Sequence, residues 1–440
     1  MKNRFFITSA WLIALLLLVL HPLSMSAQPL PGINADRNVI FLHGLNDNQN
    51  AWARFINRYN SIVERRWINS SNPSYLSAGS LNNIANQLTA IGGTGASSIA
   101  ICHSLGGVIA RDLDNRNPGN FVGGLITIGS PLDGAVVANS VLDGTASTCI
   151  SNSTSTMLRG PYATLGFTLS PLFTFNANNF TALFLPDAIQ FVLLLSNLGS
   201  LETMADLQVG GNGIEQAKAI APTATPKISI WGNENTPTHW NILGTMKKKD
   251  VAGIAEATSD FYEVMYWYHI ARGAGGWWNA WGWWNFYAAY EWYAGMDWVD
   301  NDSERVWNYI VGSSLTGTQC YQETRDFFYY DMTTCDDMLP RQWANCQLIW
   351  EPRTITTCIP AYSNGQSDAW IPASSQRGDG SNSWRVASGA TSNEVLKREA
   401  VGVNHFEELD GTNTVMQGIF RDIFDRTDVR VAPVFQINRR

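Results

Sequence analysis

The sequence predicts an α/β protein, a mostly parallel sheet with helices on both faces, interrupted by two inserted cap or lid subdomains. Three observations lead there. Four short, nearly continuous apolar runs read as strands covered on both faces. Helix-spaced segments alternate with them, and strand–helix–strand alternation makes a parallel sheet. Two stretches between the runs are too long to be ordinary connections.

The elements follow in order. Residues 38–42 (NVIFL) form the first run, ending in His43-Gly44. An amphipathic stretch at 80–91 predicts a helix. Residues 97–102 (SSIAIC) form the second run and lead into HSLGG at 103–107. Residues 107–114 (GVIARDLD) place apolar residues at helical spacing. The third run, 122–129 (VGGLITIG), stops at Ser130-Pro131, and the fourth, 227–231 (KISIW), stops at Gly232-Asn233. A short apolar run at 400–403 and a terminal helix at 413–426 close the core. These breaks divide the chain into an N-terminal segment 1–27, a core part 28–134, an insertion 135–222, a core strand 223–234, an aromatic and cysteine-bearing insertion 235–353, and a second core part 354–440.

The N-terminal segment has Lys2 and Arg4, then an apolar run from Ala10 to Leu20, then Pro22 and small residues up to Ala27. This layout predicts a secretory signal cleaved near Ala27, since the run is shorter than the roughly 20 residues a membrane-spanning helix needs. A secreted or periplasmic location follows as an expectation, with no integral membrane segment after cleavage. An exported chain can form disulfides. Cys320, Cys335, Cys346 and Cys358 lie within 39 residues, which suggests two local bridges whose pairing stays open. A zinc site is the weaker alternative, because no C-x-x-C pair and no histidine lies between them.

Composition narrows the function. The 440 residues carry 29 Lys+Arg against 37 Asp+Glu, for a net charge of −8. That balance argues against a nucleic-acid binder, which needs a basic face. The chain has no phosphate-binding G-x-x-x-x-G-K-[ST] loop and no H-E-x-x-H zinc helix, so no cofactor and no catalytic metal is expected. Half of the 18 tryptophans fall between Trp267 and Trp307. Trp277, Trp281, Trp284 and Trp292 would share one helical face, with Trp278, Phe286 and Tyr290 elsewhere around it. Such a segment is either the aromatic core of a small subdomain or an apolar wall for a lipidic substrate or a lipid–water interface.

The chemistry is carried first by SSIAIC-HSLGG-VIARDL. A serine at a tight turn between a buried strand and a helix has its Oγ pushed out at the top of the sheet. Small residues two before and two after allow the turn, and the helix N-terminus supplies N–H groups where negative charge develops. Ser104 is that serine, with Gly106 after it and Cys102 where a glycine is usual.

The pattern HGL…CHSLGG…TIGSPLDGA…NGQSDAWIP…VNHFEEL resembles the α/β-hydrolase superfamily, and within it secreted bacterial lipases and esterases and the related GPI-inositol deacylase-like lipases. The resemblance covers the core segments and says little about the insertions. It implies a serine ester hydrolase acting on an ester or lipid. In that family the His-Gly loop after an early strand builds half of an oxyanion hole, so the N–H groups of Leu45 and Leu105 are the expected donors. His43, Gly44 and His103 would border the substrate, His43 shaping the loop rather than carrying protons. The family order of serine, acid, histidine makes His405 the base: His43 belongs to the oxyanion loop, His103 adjoins the nucleophile, and His239 and His269 fall in or near the insertion. Asp368, in NGQSDAWIP, resembles the family's acid loop, with Ala369 where a glycine is usual. Glu234 is the alternative acid, and Asp133 reads as structural or pocket-lining. Some relatives hold a structural calcium, for which Asp368, Asp379 and Asp410 are the candidates. Other acyl hydrolases, or a non-catalytic lipid or glycan binder on the same fold, are the competing readings.

Overall fold

The computed structural model describes residues 37–62, 69–89, 95–118, 120–146, 149, 160, 201–234, 252–275, 280–297, 303–312, 315–331, 347–362, 366–387 and 395–437. The N-terminal segment and the apolar stretch 167–198 of the first insertion lie outside them.

Among the described residues, six strands build one sheet: β1 (Asn38–Leu42), β2 (Asn69–Ser71), β3 (Gly95–His103), β4 (Val122–Ile128), β5 (Lys227–Asn233) and, after a separate ribbon of β6 (Leu315–Asp331) and β7 (Gln347–Tyr362), β8 (Leu396–Val401). The order across the sheet is β2-β1-β3-β4-β5-β8, and every neighbouring pair is parallel. The four apolar runs are its central strands. The two edges are the strands their sequence hides. β2 is three residues of polar sequence, and β8 buries Leu396 and Ala400 while Lys397, Glu399 and Val401 face solvent.

Helices cover both faces. In chain order they are α1 (Ala53–Ile62), α2 (Leu81–Thr89), α3 (Leu105–Arg116), α4 (Val136–Leu142), α5 (Leu201–Leu207), α6 (Asn212–Ala219), α7 (Ala252–Gly275), α8 (Ala280–Asp297), α9 (Ser303–Val311), α10 (Ala373–Gln376) and α11 (Thr414–Asp425). Alternation along the strands sorts the core into two layers. Ile40, Leu42, Ala100, Cys102 and Leu125 pack toward α2 and α3. Val39, Phe41, Ile99, Ile101, Ile126 and Ile128 pack toward Trp52, Phe55 of α1 and Phe420, Phe424 of α11. Helix α11 starts where Asn413 accepts from the Val415 and Met416 N–H groups and stops at Arg426, whose φ of 49° breaks the helix.

The aromatic insertion begins with a helical hairpin. Its helices run antiparallel, with His269 bonded to Asn285 at 2.9 Å and the Tyr262 ring 4.9 Å from that of Trp292. Tyr262 and Trp292 are buried, but Phe261, Trp267, Tyr268, Trp283 and Tyr293 remain exposed. The hairpin is thus neither a wholly buried core nor a one-sided stripe. Trp277 and Trp278 lie outside the described residues. Strand β7 runs through residue 353 to Tyr362, which carries the insertion's last element beyond the boundary the sequence suggests. The ribbon register sets Cys320 opposite Cys358, while Cys335 and Cys346 lie outside the described residues. No described helix is long and apolar enough to cross a membrane.

One buried ion pair ties the layers together. Lys227 opens β5 with its Nζ 3.6 Å from Asp114 of α3, and both side chains are fully enclosed. Thr223 and Thr225 donate to the Asp114 carboxylate at 2.5 and 2.6 Å. Burial pulls the Lys227 pKa down against the pull of Asp114. Removing one partner leaves the other charge stranded. Asp114→Ala is therefore expected to lose about 3–5 kcal/mol of stability, read from urea unfolding.

Candidate active site

Ser104 sits between β3 and α3 with φ 53° and ψ −127°, a strained conformation for a residue with a side chain. Its N–H donates to the Ile128 carbonyl at 2.9 Å, which pins the turn to the end of β4. The helix that follows passes too close to its neighbours for any side chain. A Cβ on Gly106 would lie 2.6 Å from the Leu42 carbonyl oxygen, and one on Gly107 would lie 2.1 Å from Ser130 Oγ. Cys102, two residues before the serine, is accommodated inside the sheet core, and burial raises its thiol pKa so that it stays protonated. Leu105 opens α3, where the first amides lack partners within the helix.

The oxyanion loop comes from the end of β1. Gly44 lies against the nucleophile, since a Cβ there would be 3.0 Å from Ser104 Cβ. His43 holds the loop from beneath. Its Nδ1 is 3.0 Å from the Gly44 carbonyl, its ring stacks on Tyr75 at 4.0 Å, and the Tyr75 hydroxyl donates to the His43 carbonyl. Burial lowers the His43 pKa, so the ring is neutral.

Asp368 and His405 reach the same end of the sheet from its β5–β8 side. His405 Nδ1 is 2.7 Å from Asp368 Oδ2, and the His405 N–H donates to the Asp368 carbonyl at 2.9 Å. The other carboxylate oxygen of Asp368 accepts from the Trp370 and Ile371 N–H groups at 2.8 and 2.6 Å. Between them Ala369 takes φ 69°, a conformation that favours the glycine usual there. The Trp307 indole N–H, donating to the Ala369 carbonyl at 2.7 Å, helps hold it. His405 thus pairs with Asp368 and not with the alternative acid Glu234.

His103 fastens the elbow to the histidine loop. Its Nε2 is 3.0 Å from the His405 carbonyl, and the two rings lie 4.6 Å apart. Burial first, then the neighbouring His405, drives the His103 pKa well down, so it is a neutral donor. The His43 and His103 rings are both buried, with His43 Nδ1 and His103 Nε2 on main-chain carbonyls and the other nitrogen of each without a hydrogen-bond partner among the described residues. Asp133 accepts from the Gly380 N–H at 2.7 Å, and burial raises its pKa. That contact matches a structural role.

The candidate calcium ligands do not converge. Asp379 is taken by Lys397 and Arg377 at 2.5 and 2.9 Å, Asp410 binds its own turn at Thr412, and Asp368 serves His405. One cluster with metal-ligand chemistry occurs among the described residues: His103, His405 and Glu408, with donor atoms within 4.8 Å of each other. Its histidine nitrogens point N–H groups at the Asp368 carboxylate and the His405 carbonyl, so they have no lone pair to give a cation. Glu408 and Tyr75 are the site residues that sequence reasoning misses. The only sequence trace of Glu408 is its place three residues after His405.

The sheet order, the strand–serine–helix elbow and the acid and histidine loops at the ends of the last strands make this an α/β-hydrolase fold. No protein-family model and no curated protein matches the chain. Among solved structures, a pyrethroid hydrolase from Sphingobium faniae is similar at 18% identity, over 24% of this chain and 46% of that one, with a TM-score of 0.19. A phospholipase, PlaB from Legionella pneumophila, is similar at 14% identity, over 45% of this chain and 39% of that one, with a TM-score of 0.28. An epoxide hydrolase from Bacillus megaterium is similar at 16% identity, over 46% of this chain and 78% of that one, with a TM-score of 0.23. The chain thus spans less than half the length of the first two.

The elbow's close approach gives a direct test. Gly106→Ala places a methyl group against the main chain of β1, which cannot swing aside. It is expected to cost about 1–3 kcal/mol of stability and to displace Ser104, read together by thermal unfolding and by loss of serine-directed labelling.

Proposed function

We propose that the chain is a serine hydrolase that cleaves carboxylic esters through an acyl-enzyme. The observation that supports this reading is the strained elbow at Ser104, whose neighbour His103 reaches the His405 carbonyl at 3.0 Å, together with His405 held to Asp368 at 2.7 Å. In the proposed reaction His405 Nε2 takes the Ser104 proton as Oγ attacks the ester carbonyl. The N–H groups of Leu45 and Leu105 stabilise the oxyanion. The proton then passes to the leaving alcohol, and the acyl group stays on Ser104. Water activated by the same imidazole completes hydrolysis. Asp368 fixes the ring tautomer and stabilises the imidazolium.

An ester with an apolar acyl group fits best, making the protein a lipase-type enzyme. The exposed aromatic rings of the α7–α8 hairpin support this, since tryptophan and tyrosine combine apolar area with a polar edge suited to a lipid–water boundary. Export after cleavage near Ala27 belongs to the same reading and rests on the N-terminal pattern.

The test is a series of p-nitrophenyl esters from acetate to palmitate, run with wild type and Ser104→Ala side by side. Serine-dependent hydrolysis that holds or rises with chain length is expected, with a loss of at least about 10³-fold in Ser104→Ala. Hydrolysis that survives the substitution would remove the serine mechanism. Serine-dependent hydrolysis confined to acetate would remove the lipase assignment.

A further inference from the structure

Glu408 has no part in the reaction described above, yet it is a fully buried acid at the centre of the site. Its Oε2 lies 3.3 Å from His103 Nε2 and 3.5 Å from His405 Nδ1. Neither carboxyl oxygen has a well-aligned hydrogen-bond partner among the described residues.

The sheet makes room for this carboxyl. A Cβ on Gly129, just past the end of β4, would fall 2.0 Å from Glu408 Oε2. One on Gly232, within β5, would fall 2.7 Å from Oε1 and 2.7 Å from Asp368 Cβ. Gly129 takes φ 53°, where a side chain would also be strained. Two neighbouring parallel strands thus have glycine where the carboxyl sits. Burying an acid that only filled space would be unfavourable, and a leucine or methionine could fill the same volume.

We propose that Glu408 is a positioning residue of the triad: a second carboxyl behind His405 and His103 that supplies the negative charge to His405 when Asp368 cannot. This rests on the serine-hydrolase reading. The charged and titratable groups facing Glu408 are His103 from the elbow, Asp368 from the acid loop and His405 from its own loop. Two carboxyls so close to one imidazole do not both ionise. Asp368 is the better-held of the two, since its oxygens accept two backbone N–H bonds and the His405 N–H. Burial, and then the charge on Asp368, push the Glu408 pKa well up, so it stays protonated. Without Asp368 the second of these causes is removed, and Glu408 is the carboxyl left facing His405 Nδ1, 3.5 Å away.

The experiment compares wild type, Glu408→Gln, Asp368→Ala and the double variant on p-nitrophenyl butyrate across pH. Glu408→Gln is expected to lower kcat about threefold to tenfold. Asp368→Ala is expected to lose only about 10²-fold, well short of the roughly 10⁴-fold typical when a triad acid is replaced. The activity it keeps should rise with pH as Glu408 ionises. The double variant should lose about another 10²-fold in kcat, far more than Glu408→Gln loses alone. A double variant no worse than Asp368→Ala, or a residual activity that does not rise with pH, overturns the proposal. If Asp368→Ala does not fold, Asp368→Asn keeps the acceptor for the two loop amides and serves in its place.

A second readout needs no activity. A carboxyl with a raised pKa in the folded state loses stability as pH climbs from the unfolded value of about 4.5 toward the folded one. Wild type should therefore lose stability relative to Glu408→Gln over that rise, in thermal unfolding at several pH values. Parallel curves would show that Glu408 is not held neutral and overturn the proposal. Activity of wild type that survives Ser104→Ala would instead fault the serine reading and leave this readout standing.

Discussion

Helix α3 leaves β3 in contact with the ends of two other strands, and the rest of the site is arranged around that contact. Gly106 and Gly107 remove the side chains that would hold the helix away from Leu42 and Ser130. The chain can then turn only by placing Ser104 at φ 53°. A residue so strained keeps its geometry only where surrounding packing over-determines it. The Ile128 carbonyl, the Gly44 backbone and the His103 ring supply that packing from three directions. Strain at the nucleophile and rigidity of the loops around it are thus one property of the fold.

The support behind the reacting groups combines buried histidines and a buried acid with the aromatic rings of Tyr75, Trp307 and Trp370. His43 and His103 each hold a main-chain carbonyl, and burial keeps both neutral. Neutral donors fix geometry without adding positive charge beside His405, which must itself accept a proton. Glu408 sits in the same layer between two glycines. The site therefore contains two carboxyls and three imidazoles, with His43 and His103 kept neutral by burial.

Much of this was legible in the sequence, and the reasons differ by residue. The central strands announce themselves because burial on both faces demands continuous apolar runs. Ser104 is legible because the turn needs small residues at fixed offsets. His405 is legible because few histidines compete with it, and Asp368 because its loop resembles that of a known family. The edge strands β2 and β8 are hidden, since an edge strand needs few buried residues and shows polar or alternating sequence. Glu408 is hidden because an acid beside another acid, in a short surface-like sequence, reads as solvated. Only the three-dimensional approach of Gly129 and Gly232 shows otherwise. Arg111 and Asp114, both fully buried, are hidden in the same way within a helix whose apolar residues gave it away.

The central claim is that Ser104 is a nucleophile activated by His405. The most direct measurement is incubation of the purified protein with an active-site-directed serine phosphonate, followed by mass mapping of the modified peptide. One phosphonate per chain on Ser104, with labelling slowed at least about 10²-fold in His405→Ala, is the predicted result. A chain that stays unlabelled, or that labels at the same rate without His405, would contradict the account and leave a hydrolase fold without hydrolase chemistry.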